Sequence, residues 1–208
     1  MRRFVVIGQR ATAGPEFSLT NLPASSGRLD VLLRCLRAAL LVSHGVRRDT
    51  VVYLVLLGGP GPPKTLRVDG ATVKFLRPDE RSLAVLVQKA LAARGESEGF
   101  VTVRPGIAVA EGGLEAVLTE VGTATLYVLE EGAADLREAA LDGGEAVFFV
   151  GDHLGFDEVT RARLDALGAR AIGVGPVSVH AEDAVVLVVN ELDRCAAHGT
   201  PSPRTSSR

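Results

Sequence analysis

The stretch Val147-Phe148-Phe149-Val150-Gly151-Asp152-His153-Leu154-Gly155-Phe156 sets four apolar residues directly against Gly-Asp. A short run of β-branched and aromatic residues that stops at glycine is the pattern of a strand buried on both faces. Residues 157–167 then follow a helical spacing, and 170–174 make a further strand. Upstream the same alternation holds, with a helix expected over 114–121, a strand over 125–129 and a helix over 134–140. A last helix is expected over 180–195, and 101–103 is a short strand or an extended linker. Strands alternating with helices imply parallel βαβ units, so the expected class is α/β with a parallel sheet.

Three strands of this half end in turn residues: Val128-Leu129-Glu130-Glu131-Gly132, Val150-Gly151-Asp152-His153-Leu154-Gly155 and Ile172-Gly173-Val174-Gly175-Pro176. Open parallel sheets bind ligands beyond the carboxyl ends of their strands. Glycine and proline also punctuate ordinary βα turns. Three such ends together shift the balance towards a site. Asp152-His153 reads as a catalytic pair, a phosphate cradle or a polar turn. Adjacent residues commonly point apart, which favours the turn, with Asp157 at the following helix start suiting the helix dipole.

The N-terminal half is less regular. A buried strand is expected over 4–7, a loop over 10–27 and a helix over 28–43, with Ser25 or Ser26 as N-cap. Asp30, Arg34, Arg37 and Leu41 share one face of that helix. Residues 51–57 form a doubly buried strand. Residues 66–68 and 72–76 flank Asp69-Gly70-Ala71 as a hairpin. A helix over 81–93 is capped by Pro78-Asp79-Glu80 and ended by Gly95, with a charged surface loop at 94–99.

The 208 residues suit one domain with a substantial core. Hydrophobic residues make up 47% and aromatics only 4%, so valine, leucine and alanine must fill it. The expected domain is 1–195, with a disordered tail over 196–208. The net charge of −2 rules out a global basic field, so RNA binding would need a local patch. Cys35 and Cys195 are too few for a zinc site, and Cys35 lies in an apolar helical run as a structural thiol. With no leader-like or membrane-spanning stretch, a cytoplasmic location is expected.

Gly58-Gly59-Pro60-Gly61-Pro62-Pro63-Lys64-Thr65 superficially resembles a phosphate loop. Pro63 lacks an N–H and no helix follows, so a rigid surface loop is the better reading. Dinucleotide, serine-hydrolase and zinc-protease motifs are missing. No metal is expected. His44 reads as a helix C-terminal cation and His198 as part of the tail. Arg28, Arg34, Arg37, Arg47, Arg48, Arg77 and Arg81 gather in the first half and suit phosphate contact. Each alone also reads as solvated charge, and Asp30 pairs with Arg34 at helical spacing.

Several segments together resemble one family. They are Leu22-Pro23-Ala24-Ser25-Ser26-Gly27-Arg28-Leu29-Asp30, Arg47-Arg48-Asp49, Arg77-Pro78-Asp79-Glu80-Arg81, Val150-Gly151-Asp152-His153 and Asn190-Glu191-Leu192-Asp193. In order over roughly 1–195, they are similar to the tRNA pseudouridine N1-methyltransferases (TrmY) of the SPOUT superfamily. That resemblance implies a homodimer, a C-terminal trefoil knot and bound S-adenosylmethionine. It also implies methylation of N1 of pseudouridine 54 in the tRNA T-loop. It assigns Leu129, Gly151, Val174, Gly175, Pro176, Val177, Ser178 and Val179 to the cofactor pocket. Ala184 stands where the family commonly carries cysteine. Asp30 is the candidate to assist removal of the N1 proton, and Arg28 to hold phosphate or the uracil carbonyls. The other arginines are assigned to RNA. Val185, Val186, Val188 and Val189 would supply the dimer surface, with packing inside the monomer as the alternative. Gly151 would leave room for adenosine to approach the backbone. A catalytically silent RNA-binding dimer and a bacterial-type relative acting on a different RNA remain the competing readings.

Overall fold

The computed structural model describes residues 1–93, 99–139, 141 and 145–198. Its elements in order are β1 (Arg2–Thr12), α1 (Leu22–Ser25), α2 (Leu29–Leu40), β2 (Leu41–Val42), β3 (Gly45–Val46), β4 (Thr50–Gly58) and β5 (Lys64–Asp69). They continue as α3 (Glu80–Ala92), β6 (Val101–Arg104), β7 (Ile107–Glu111), α4 (Leu114–Val121), β8 (Thr125–Leu129), β9 (Ala146–Gly151), α5 (Glu158–Ala166), β10 (Arg170–Ile172) and α6 (Ala181–His198).

Eight strands form one sheet in the order β10-β8-β9-β1-β4-β5-β7-β6. The five from β10 to β4 are parallel, and the remaining pairings are antiparallel. β1 is central, and its side chains alternate between two buried layers: Phe4 and Val6 face one, Val5 and Ile7 the other. α2, α3 and α6 cover the first face, while α4 and α5 cover the second. On the first face Phe4, Phe148 and Tyr127 stack across three neighbouring strands, with ring centroids 5.4 and 5.3 Å apart. The parallel class read from VFFVGDHLGF therefore holds for the half that carries it.

Several boundaries differ for identifiable reasons. Helix α2 stops at Leu40, because Leu41 pairs with Val46 in a small hairpin and Arg47 N–H donates to the Leu40 carbonyl. His44 thus sits in that hairpin turn, beyond any helix end. The expected hairpin at Asp69-Gly70 is absent. Asp69 instead closes a turn on the Ala71 N–H and the Thr72 hydroxyl, and the free edge of β5 pairs with β7, Val68 opposite Ile107. The helix expected over 134–140 does not form in its described part. Gly173 N–H donates to the Ala134 carbonyl at 2.7 Å, and the Gly173 carbonyl accepts from Leu136 N–H at 2.8 Å, so the backbone groups a helix needs are taken. Ala140 lies outside the described residues, as do Gly95 and most of the loop expected at 94–99.

Helix α6 continues through His198, three residues into the segment expected to be tail. Residues 199–208 lie outside the described residues. Arg2 and Arg47 both grip Asp193, which ties this helix to the start of β1 and to the end of the small hairpin. Val185, Val188 and Val189 are spent on the monomer's own core, and only Val186 faces outward. Cys35 is fully buried in α2, where burial pushes its thiol pKa up, consistent with a structural thiol.

Candidate functional site

The C-terminal ends of β8, β9 and β10 lie side by side, and a cavity of about 780 Å³ opens beyond them. All the residues assigned to the cofactor line it except Pro176, which is exposed beside it. Two elements far apart in sequence close it: the start of α2, with Arg28, Val31 and Arg34, and the start of α6, with Ala181, Glu182 and Ala184. Its volume falls in the usual range for small-molecule sites. The lining mixes valine and leucine side chains with glycine backbone at strand ends. That combination suits a flat, partly apolar ligand whose polar edge pairs with main-chain groups.

Gly151 lines the cavity, and its missing side chain also serves the local fold. A Cβ there would lie 2.7 Å from the Gly155 Cα and 2.8 Å from its carbonyl carbon. The missing side chain lets the 151–155 turn fold back on itself. That turn forms part of the cavity wall beside Gly151 itself. Gly151→Ala should force the turn outward and weaken binding of an adenosine-containing ligand about tenfold, a loss of about 1.4 kcal/mol. Calorimetric titration checks this, and an unchanged affinity would count against the turn as a cavity wall.

Asp152 is the staple of the same turn. Its carboxylate accepts from Gln9 N–H at 2.9 Å and from Leu154 N–H at 2.8 Å, and its own N–H donates to the Ile7 carbonyl. Both oxygens are engaged by backbone donors, and the His153 ring is 3.8 Å away. The pair therefore does not form a catalytic dyad. Asp157 caps α5, accepting from Thr160 N–H at 2.7 Å.

At the opposite rim, Arg28 adopts left-handed backbone geometry, with φ of 69°. Its guanidinium grips Asp30 through Nε at 3.0 Å and Nη2 at 3.2 Å. Arg34 donates to the same carboxylate at 2.9 Å and to Glu182 at 2.6 Å. Asp30 is only 3% exposed and does not line the cavity, whereas both arginines do. Burial pushes its carboxyl pKa up, but hydrogen bonds and charge from Arg28 and Arg34 outweigh this and hold it below the usual carboxylate range. Ser26 supports the same corner, donating to the Leu22 carbonyl and accepting from Leu29 N–H. It thereby serves α2 as the expected cap, although Arg28 occupies the cap position itself.

The remaining arginines divide. Arg47 meets Asp193 through both terminal nitrogens, at 2.9 and 2.8 Å. Arg48 donates to the carbonyls of Gly70 and Ala71. Both therefore make bonds within the fold, and Arg48 remains exposed. Arg37 lines a second cavity of about 670 Å³ between α2 and α6, and Arg77 and Arg81 are exposed. Sequence reasoning missed Val31, Phe156, Arg161 and Glu182, which also line the main cavity. Glu182 was visible as an acidic residue at a helix start, but its link to Arg34 spans 148 positions. The 58–65 loop is a strand junction, where Lys64 faces Glu111 and Thr65 donates to the carbonyls of Gly112 and Gly113. Among the described residues, no cluster of His, Cys, Asp and Glu could hold a metal. No helix among them is long and apolar enough to cross a membrane.

Over residues 1–197 the chain matches a family described as "Putative SAM-dependent RNA methyltransferase". It is 42% identical over 197 residues to a Methanosarcina mazei protein named tRNA (pseudouridine(54)-N(1))-methyltransferase, covering 95% of this chain and 93% of that one. A Halobacterium salinarum protein of the same name is 41% identical over 196 residues, covering 93% and 96%. The fold superposes on Archaeoglobus fulgidus Nep1 bound to S-adenosylhomocysteine with a TM-score of 0.68 at 19% identity, over 95% of this chain and 99% of that one.

Proposed function

Because the chain belongs to this family of SAM-dependent RNA methyltransferases, we propose that it methylates N1 of pseudouridine at position 54 of tRNA. The observation that carries the reading is the cavity at three adjacent strand ends, with an ion-paired arginine at its rim. The cavity fits S-adenosylmethionine in size and in its mix of apolar wall and main-chain edge. When bound, that cofactor supplies a methyl group already activated by a sulfonium.

The protein's task is then to bind, align and exclude water. Leu129, Gly151, the 174–179 segment and Ala184 would hold the adenosine and methionine parts. Val177 and Val179 would keep water from the reacting atoms. N1 of pseudouridine would give its proton to a water molecule, the negative charge left behind would be shared with the uracil carbonyl oxygens, and the N–C bond would form as the bond from methyl to sulfonium breaks. Arg28 at the rim would stabilise that charge, with little reorganisation because Asp30 already fixes its guanidinium. In this reading Asp30 is a positioning residue and not the base. Arg37, Arg77 and Arg81 would meet RNA phosphates.

The homodimer belongs to the same proposal. Exposed Val177 and Val179 line the first cavity and exposed Val42 and Val186 the second, so each offers apolar contacts to a second copy. The trefoil knot is carried by the family resemblance. A cytoplasmic location follows from the RNA substrate.

The test is methyl transfer onto matched tRNA transcripts carrying uridine or pseudouridine at the target, read by mass spectrometry. Methyl groups should appear on the pseudouridine transcript alone, and transfer at equal rate to uridine would overturn the substrate. Saturable heat on titration with S-adenosylmethionine separates an enzyme from a silent RNA-binding relative.

A further inference from the structure

The connection between β5 and α3 holds out a side chain that folding ordinarily buries. Phe75 is 89% exposed, and its φ is 59°. Among the described residues, Arg28 and Phe75 are the non-glycine positions in left-handed geometry, and Arg28 lies at the cavity rim. For a bulky aromatic residue such a backbone is unfavourable and persists only where the surroundings impose it.

Here they do. Val73 is buried, its N–H donates to the Asp69 carbonyl, and its backbone fits against Gly106, where a Cβ would come within 2.2 Å of the Val73 nitrogen. On the other side Leu76 packs against the core, and Asp79 caps α3 through Ser82 N–H at 2.8 Å. Arg48 holds the carbonyls at the start of the same connection. Pinned at both ends, the chain turns the ring outward.

The connection and the start of α3 carry three cations close to Phe75 in sequence. Lys74, Arg77 and Arg81 are exposed, and Arg77 acts on the nearby carboxylate of Asp79, whose pKa is lowered first by its Ser82 hydrogen bond. The acidic residues nearby are already engaged: Asp69 by Ala71 N–H and Thr72, Asp79 by Ser82 N–H, and Glu80 by Arg34 at 3.5 Å. That last pair also connects this segment to Arg34 at the wall of the main cavity.

An exposed aromatic face on a segment that also carries exposed cations is the chemistry that holds unpaired nucleotides, with bases stacking on the ring and phosphates meeting the charges. A protein partner docking on an apolar patch would want aliphatic neighbours around the ring, and Leu76 turns inward instead. We propose that Phe75 is a stacking platform for an unpaired base of the RNA substrate, with Lys74, Arg77 and Arg81 holding the flanking phosphates. The assignment rests on the RNA methyltransferase reading above.

The chain has no tryptophan, so Phe75→Trp places a single indole at the platform. A T-arm stem-loop transcript should quench its fluorescence, and a fully paired duplex of the same stem should quench it far less. Phe75→Ala and Phe75→Leu should both weaken stem-loop affinity about 5- to 150-fold, the range expected on losing one base–aromatic stack. Their melting temperatures and their heats with S-adenosylmethionine should match wild type. Equal stem-loop affinity in wild type and Phe75→Ala, or equal quenching by both RNAs, would overturn the platform. So would a shift from dimer to monomer on sedimentation of Phe75→Ala, which would make Phe75 a contact between copies. If wild type itself neither binds nor methylates RNA, the broader reading fails and the platform with it. If wild type methylates normally and the variants bind equally well, only the platform falls.

Discussion

Gly27→Ala should lower the melting temperature by about 10 °C and abolish methyl transfer at ordinary assay temperatures. Gly27 has φ of 62°, and a Cβ there would sit 1.8 Å from the Arg10 carbonyl oxygen and 2.6 Å from its carbon. Neither atom belongs to a flexible side chain, so the backbone itself must move. Left-handed strain contributes about 1–3 kcal/mol and forced repacking a similar amount. For a domain of this size each kcal/mol lowers the midpoint by about 2–4 °C. Functional loss should exceed what the melting shift explains, because Gly27 immediately precedes Arg28 and sets where its guanidinium lies. Thermal melts followed by circular dichroism decide the matter. A shift below about 2 °C would show that the 10–12 segment can yield and that Gly27 is not the hinge of the rim.

Asp30→Asn should reduce kcat about 100-fold with a smaller change in affinity for S-adenosylmethionine. The amide is nearly isosteric, but it cannot hold Arg28 and Arg34 as a charged acceptor, so the guanidinium at the rim loses its fixed orientation. Removing a preorganised charge-stabilising donor from an active site costs about 100- to 1,000-fold in rate. Stability should fall by only about 1–3 kcal/mol. Breaking a buried pair costs more than that, but both arginines are partly solvated and screening reduces the effect.

The pH dependence separates positioning from proton abstraction. The carboxyl of Asp30 has its folded pKa depressed by the two arginines, although burial alone would raise it. Its stabilising contribution is therefore complete above the unfolded aspartate value, near about 4, and is lost as pH falls through the folded value. Acid destabilisation should be shallower in Asp30→Asn than in wild type. Between about pH 5 and 8 this group does not titrate, so a positioning role gives wild type and variant rate profiles of the same shape at different heights. If added small-molecule bases restored Asp30→Asn towards wild-type turnover, Asp30 would be the base after all.

How far the sequence reached is clearest at particular residues. VFFVGDHLGF carried its strand unambiguously, because a run buried on both faces needs no knowledge of its neighbours. The residues that line the cavity were reached by family resemblance, and the strand ends of β8, β9 and β10 were independently legible from their turn residues. By contrast Arg47, Arg48 and Arg77 look alike in sequence. Asp193 lies 146 positions from Arg47, and the carbonyls that hold Arg48 belong to a turn with no charge of its own. Arg47 is half-buried, whereas Arg48 and Arg77 both remain exposed. The failed hairpin at Asp69-Gly70 has the same origin. The turn chemistry was right, but the strand beside β5 came from 107–111 and not from the residues after the turn.

The sequence by itself determined the parallel α/β class, the three glycine-punctuated strand ends and, through ordered motifs, the family. Those are local patterns of burial, turn chemistry and residue order along the chain. Tertiary structure alone decided that Gly151 serves Gly155, that Asp30 is tied to two arginines, that Val185, Val188 and Val189 are spent inside the monomer, and that Phe75 faces outward. Each of these depends on which distant atom fills the space or supplies the hydrogen bond. That choice is made by packing across the sheet, and local sequence does not encode it.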